Sequence, residues 1–237
     1  MIQVALCPSE IRRISATDLT DTTAVVFDVL RATSSIITGL DSGVDSIIPV
    51  RTLEEARTLK EKNPSLLLAG ERGGLPPKGF DFGNSPEEFQ KAKGRTVVLT
   101  TTNGTAAIES VKSAQSVLIG ALLNIDALAN YLFTHRPTNL LLVCSGTGEE
   151  FSLEDAIAAG ALVARLSGDD GLSDSAMITR SLYEQVGDDF YEWLRHTKNG
   201  ISLRKIGKDA DIRWCAQFSV VDIAGQLIAG RIVPSAQ

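Results

Sequence analysis

Four times in this chain an apolar run of strand length breaks off into a knot of small and polar residues. Thr22–Leu30 carries Asp28 and leads into Arg31-Ala32-Thr33; Leu66–Ala69 leads into Gly70-Glu71-Arg72-Gly73-Gly74. Arg95–Thr100 leads into Thr101-Thr102-Asn103-Gly104-Thr105, and Thr138–Cys144 into Ser145-Gly146-Thr147-Gly148. The runs are continuous rather than alternating, as strands covered on both faces are. The stretches between them have helical character. Alternation of this kind predicts an α/β protein with a mostly parallel central sheet. In such a sheet the strand exits share an edge, where ligands bind, so the four polar clusters are expected to converge.

The longest irregular stretch, 70–86, is rich in glycine and proline and cannot be a helix or a central strand. Loops of that length in compact domains are usually functional. Around it the order is regular. Strands are expected at Ile2–Leu6, Asp45–Val50 and Ser116–Ile119. Helices are expected from Arg31 to Leu40, after a Thr52 cap, from Ser85-Pro86, up to about Lys112, from Asn124 to Thr134, and from a Ser152 cap to about Leu166. The last third reads differently. Ser173 to about His196 is helical with a break at Gly187, short helices follow at Lys198–Ile206 and Asp209–Ala216, and strands are expected at Phe218–Ile223 and Leu227–Val233. With no linker-like or repetitive tract, residues 1–237 read as a single domain whose late helical segment, about 170–216, packs over the sheet.

Composition narrows the function classes. A net charge of −6 argues against general affinity for nucleic acid or anionic membrane, while leaving room for a small anion held by local arginines. The three cysteines, Cys7, Cys144 and Cys215, lack C-x-x-C spacing, so neither a disulfide framework nor a cysteine zinc site is expected. Met1–Pro8 lacks the basic region and long apolar run of a signal peptide, and no stretch reaches membrane-spanning length; a soluble cytoplasmic protein is expected.

The clusters suggest chemistry. Asp28 lies inside an apolar run, where a carboxylate must be paired or metal-bound; Arg31, three residues on, is one possible partner, and the other reading is a metal ligand, base or nucleophile. Thr101-Thr102-Asn103-Gly104 places hydroxyls and free N–H groups at a helix start, an arrangement that suits an anion. Ser152-Leu153-Glu154-Asp155 matches a capping box for Ser152 and Asp155 but leaves Glu154 unexplained. With Asp28 and Glu71 it would supply hard oxygen ligands suited to Mg²⁺. Cys144 reads first as a core residue and second as a reactive thiol. His135 and His196 read as solvated helix-end residues, which argues against histidine-based catalysis.

Nucleotide signatures fail. Gly74-x-x-x-x-Gly79 is followed by Phe80 instead of lysine, and Phe151 stands where the third glycine after Gly146-x-Gly148 would fall. Asp28 has Leu30 two residues on, so the aspartate pair of haloacid-dehalogenase phosphatases is absent. Carboxylates for a divalent cation, arginines for anions and a helix start for phosphate remain, a set that suits phosphoryl transfer or phosphate-ester hydrolysis.

Together the motifs Asp28-Val29-Leu30-Arg31-Ala32-Thr33-Ser34, Gly70–Gly74, Gly79–Pro86, Thr100–Thr105, Phe151–Asp155 and Cys215-Ala216-Gln217 resemble the 2-phosphosulfolactate phosphatase family, Mg²⁺-dependent enzymes of the coenzyme M pathway. The resemblance implies a three-layer α/β/α fold, a homodimer, and hydrolysis of (2R)-2-phospho-3-sulfolactate to 3-sulfolactate and phosphate. It implies Asp28, Glu71, Glu154 and Asp155 as metal-site candidates and Arg31 and Arg72 as holders of phosphate and sulfonate. Thr33, Thr101, Thr102, Asn103 and Gly104 are implied as anion contacts, with Asn84, Cys144 and Ser145 beside them. Attack by metal-activated water is favoured over attack by Asp28. The alternatives are a phosphatase of another phosphorylated hydroxy acid, a non-catalytic binding module for a dianionic metabolite, and, last, an Mg²⁺-dependent lyase or isomerase.

Overall fold

In the computed structural model, which describes residues 1–166 and 171–235, the chain forms nine strands and the helices that cover them. The strands are β1 (Ile2–Ala5), β2 (Thr22–Phe27), β3 (Ser46–Pro49), β4 (Leu67–Gly70), β5 (Thr96–Thr100), β6 (Ser116–Gly120), β7 (Asn139–Cys144), β8 (Gly225–Ile228) and β9 (Arg231–Pro234). The helices are α1 (Pro8–Ser15), α2 (Ala32–Asp41), α3 (Leu53–Lys62), α4 (Pro86–Gln90), α5 (Gly104–Ser110), α6 (Ile125–His135) and α7 (Leu153–Leu166), then α8 (Asp174–Val186), α9 (Phe190–His196), α10 (Lys198–Lys205) and α11 (Asp209–Cys215). α1, opened by Pro8 in its first turn, has no counterpart in the sequence reading. Four of these helices, α8 to α11, fall between Asp174 and Cys215; residue 170, given as the start of the late helical segment, lies outside the described residues.

All nine strands join one sheet in the order β1-β7-β2-β6-β8-β9-β3-β5-β4. The sheet is mostly parallel, as expected, but it is two parallel blocks. β1, β7, β2 and β6 run together, and β3, β5 and β4 run together. The β8–β9 hairpin joins them through antiparallel contacts from β6 to β8, β8 to β9 and β9 to β3. An odd number of reversals makes the blocks run in opposite directions. The strand exits therefore do not all lie on one edge of a single parallel sheet, yet the two sets meet, with Gly104 after β5 set against Asp28 after β2.

The hairpin corrects the end of the sequence reading. Phe218–Ile223 is not a strand. Its backbone bonds to the loop after β6 instead, Ser219 N–H to Leu122 and Val221 N–H to Leu123, both at 2.9 Å. The stretch Leu227–Val233, read as one strand, is bent at Ala229-Gly230, both at positive φ, and forms parts of two. Two successive residues of that conformation fit the right-handed twist of a tight hairpin.

Strand residues alternate between two packed faces. Val25 and Phe27 of β2 and Leu140 and Leu142 of β7 lie in one core with Leu128, Leu162, Leu194 and Ile212 from α6, α7, α9 and α11, so the late helices pack over this face. Ala24 and Val26 point the other way, into a core with Ile36, Ile37 and Ile108 from α2 and α5 that also includes Ile47, Val97 and Leu99 of the second block. A smaller core of Leu66, Leu68 and Val98 lies under Ala56 of α3. Helices on both sides of a sheet make the three layers.

Candidate active site

β2 delivers Asp28 to the crevice, and the turn that follows is fixed by its own backbone. Thr33 N–H donates to the Asp28 carbonyl at 2.9 Å, the Thr33 hydroxyl accepts the Asp28 N–H at 3.0 Å, and Ala32 N–H donates to Asp28 Oδ1 at 3.2 Å. Asp28 is 8% exposed. Burial pushes its carboxyl up to about 6; the Ala32 N–H opposes this, and the charges of Glu71 and Glu154 add to it. From the other block Gly104 comes so close that a Cβ there would stand 2.6 Å from Asp28 Oδ2 and 2.7 Å from the Ala32 methyl. Glycine is needed at 104 for this approach.

Arg31 does not pair with Asp28. Its Nη1 donates to Asp211 Oδ2 of α11 at 2.5 Å and its Nη2 to the Gly74 carbonyl at 2.9 Å. Asp211 Oδ1 accepts the Ser85 hydroxyl at 2.6 Å. One carboxylate of the late helices thus ties the β2 exit to the end of the glycine-rich loop. Within that loop Glu71 accepts Thr102 N–H at 2.8 Å and Gly74 N–H at 2.9 Å, one on each oxygen. Arg72 turns onto β5: Nη1 donates to the Glu71 and Thr100 carbonyls, Nη2 to the Thr100 hydroxyl.

α7 supplies two buried carboxylates. Asp155 accepts Val29 N–H on Oδ1 at 2.8 Å, and the Ser145 hydroxyl and Gly146 N–H on Oδ2 at 3.1 and 3.2 Å. It fastens the β7 exit to the β2 exit and is not the partner in a capping box; the Ser152 hydroxyl bonds Thr147 at 2.6 Å instead. Burial, then the charges of Asp28 and Glu154, push Asp155 well above the usual carboxylate range. Burial raises Glu154 as well, opposed by Asn199, whose amide donates to Glu154 Oε1 at 2.6 Å.

A cavity of about 320 Å³ opens between the blocks. Of the sequence candidates, Asp28, Arg31, Glu71, Asn84, Thr102 and Asn103 line it. Asn84 is 3% exposed and its Oδ1 has no hydrogen-bond partner among the described residues. The other candidates stand behind the wall. The Thr33 and Thr101 hydroxyls serve backbone N–H groups, Thr101 that of Thr105 at 3.1 Å. Ser145 and Asp155 hold each other, and Arg72 lies against β5. Cys144 is 0% exposed, with burial pushing its thiol well above its ordinary value. Asn199 and Leu203 of α10, Ile206, and Thr147 and Gly148 complete the wall. Asn199 and Asp211 were invisible in the sequence, since they sit on short amphipathic helices with no motif around them; Gly148, read only as part of a strand exit, donates its N–H to Asn103 Oδ1 at 3.4 Å across the blocks.

No three of the described His, Cys, Asp and Glu side chains form a ready-made metal cage. The donor chemistry nevertheless suits a hard cation: the charges of Glu71 and Glu154 add to burial in raising the Asp28 carboxyl, and the one guanidinium on this wall is already paired with Asp211.

The fold and site define an α/β enzyme whose two half-sheets meet at a carboxylate-lined crevice. Comparison with known proteins then places it. The 2-phosphosulpholactate phosphatase family model matches residues 9–229. A probable 2-phosphosulfolactate phosphatase of Thermotoga petrophila is 42% identical over 210 residues, covering 88% of this chain and 90% of its own. Proteins of the same description from Carboxydothermus hydrogenoformans and Deinococcus radiodurans are each 39% identical over 217 residues, covering 90% of both chains. The chain belongs to the 2-phosphosulfolactate phosphatase family, whose members are phosphoric monoester hydrolases.

Proposed function

We propose that this protein hydrolyses (2R)-2-phospho-3-sulfolactate to 3-sulfolactate and phosphate with Mg²⁺ as cofactor, as a step of coenzyme M or sulfolactate biosynthesis. The observation that carries the reading is the pairing of Asp28 and Glu71 on the wall of a polar cavity, with the charge of Glu154 near enough to raise Asp28, in a chain of this family. Asp28, Glu71 and Glu154 would hold the cation, which when bound neutralises phosphate charge and polarises the ester.

The chain's own groups divide the remaining work. Arg31 keeps N–H groups beyond the two given to Asp211 and Gly74, and these hold phosphate oxygens. Asn84 Oδ1, buried and unpartnered at the wall, accepts a hydrogen of the attacking water and aims its lone pair. Asp155 keeps the β2 and β7 exits in register, and Asn199 fixes the rotamer of Glu154. The resemblance also supports action as a cytoplasmic homodimer.

Phosphate release from 2-phospho-3-sulfolactate and from 2-phospholactate, with Mg²⁺ and with EDTA, tests the proposal. Mg²⁺-dependent release that prefers the sulfonate is expected; no release from either compound by folded, metal-supplemented protein overturns it.

A further inference from the structure

A second hollow of about 250 Å³ adjoins the first and shares Thr102, Asn103 and Gly148 with it, so the two are lobes of one cleft. The first lobe has Arg31 as its one cation, neutralised by Asp211, and it also carries Asp28 and Glu71. Among the described residues that lobe offers no second cation to meet a second anionic group on the substrate. The second lobe is lined by two arginines, Arg12 and Arg51. Arg12 is spent in a two-pronged pair with Glu149 at 3.2 and 2.6 Å. Arg51 has no carboxylate partner for its guanidinium among the described residues; Nη2 donates only to the Ser110 hydroxyl, at 3.3 Å.

Its backbone is fixed. Arg51 follows β3 and precedes the Thr52 cap of α3, and Glu55 accepts the N–H of both Arg51 and Thr52, at 2.9 and 3.2 Å. Arg51 thus stands at a fifth strand exit, beside β5 and its Thr102-Asn103 loop. A planar fork of N–H donors suits a tetrahedral oxyanion.

We propose that Arg51 is the specificity-determining residue that binds the sulfonate of the substrate, with the phosphate in the carboxylate lobe and Asn103 between them. This rests on the function proposed above. The guanidinium swings from Ser110 to the sulfonate oxygens, and selectivity for a sulfonate-bearing phosphomonoester over one ending in methyl comes from this contact.

The test is the ratio of kcat/KM for 2-phospho-3-sulfolactate to that for 2-phospholactate in wild type, R51A, R51K and R12A. R51A is expected to lower the ratio by roughly tenfold to a hundredfold, the loss typical of one charge-assisted contact. R51K should recover part of it, and R12A should keep the wild-type ratio. A ratio in R51A within twofold of wild type overturns the proposal. Calorimetry with 3-sulfolactate and lactate separates this from failure of the hydrolase reading. Wild type should bind 3-sulfolactate at least tenfold more tightly than R51A does, whether or not either phosphomonoester turns over. Equal binding by the two proteins, or none by wild type, overturns it independently.

Discussion

Arg31 and Asp211, 180 residues apart in the sequence, form a buried ion pair at 2.5 Å with side chains 3% and 8% exposed. Each also holds a second element, Arg31 the Gly74 carbonyl and Asp211 the Ser85 hydroxyl. The pair is therefore the bolt between the sheet crevice and the late helices.

Removing one partner strands the other charge away from water. Asp211→Ala is expected to lower stability by about 3–5 kcal/mol, read as a lower urea midpoint. A midpoint close to wild type would show that Arg31 finds another partner, Asp28 first among them.

Asp28 titrates against the fold. Its folded pKa, about 6, lies above the ordinary carboxylate value of 3.8, so folding favours the protonated form. That contribution is full below about pH 4, fades as pH rises toward 6, and is gone above it. Asp28→Asn keeps the shape and removes the charge. Without metal it should be more stable than wild type at pH 7.5, lose that advantage at pH 4, and release no phosphate. Urea midpoints at the two pH values check the first pair of outcomes and a phosphate assay the third; a variant advantage of equal size at both would mean that the charge on Asp28 is not what the fold resists.

A cation bound as proposed would reverse that effect. Mg²⁺ should raise the melting temperature of wild type at pH 7.5 and do so much less at pH 5, where Asp28 is largely protonated. Asp28→Asn should respond weakly at both. Thermal scans in EDTA and in a Mg²⁺ series decide it, and an equal rise in variant and wild type would remove Asp28 from the cation site.

Gly104→Ala places a methyl 2.6 Å from Asp28 Oδ2 and 2.7 Å from Ala32. The blocks must spread to admit it, at a cost of about 1–3 kcal/mol, and the phosphate-release rate should fall by more than tenfold. Wild-type activity in this variant would show that Asp28 and Gly104 are free to separate.

The parallel strands and their polar exits were legible because continuous apolar runs and cap residues are local signals: Thr52 caps α3 with Glu55 as its spacing suggests. What was lost is non-local. Phe218–Ile223 has strand composition but finds no strand beside it, and Ala229 is a poor advertisement for a left-handed turn, so the hairpin was read as one strand. The reversal between the blocks followed it out of sight. At the site the same divide holds. Asp28, Glu71 and Asn103 were visible from their motifs, whereas Asn199 and Arg51 reach the cleft, and Asp211 its Arg31, only through the path of the folded chain.

The hairpin of β8 and β9 lies in the middle of the sheet, yet residues 225–234 follow every other strand in the chain. During synthesis the two parallel blocks are complete before the piece that joins them leaves the ribosome. Contacts of such long sequence separation form slowly. The crevice between the blocks is thus expected to form late in folding, its carboxylates brought together only after residues 225–234 have joined the two blocks.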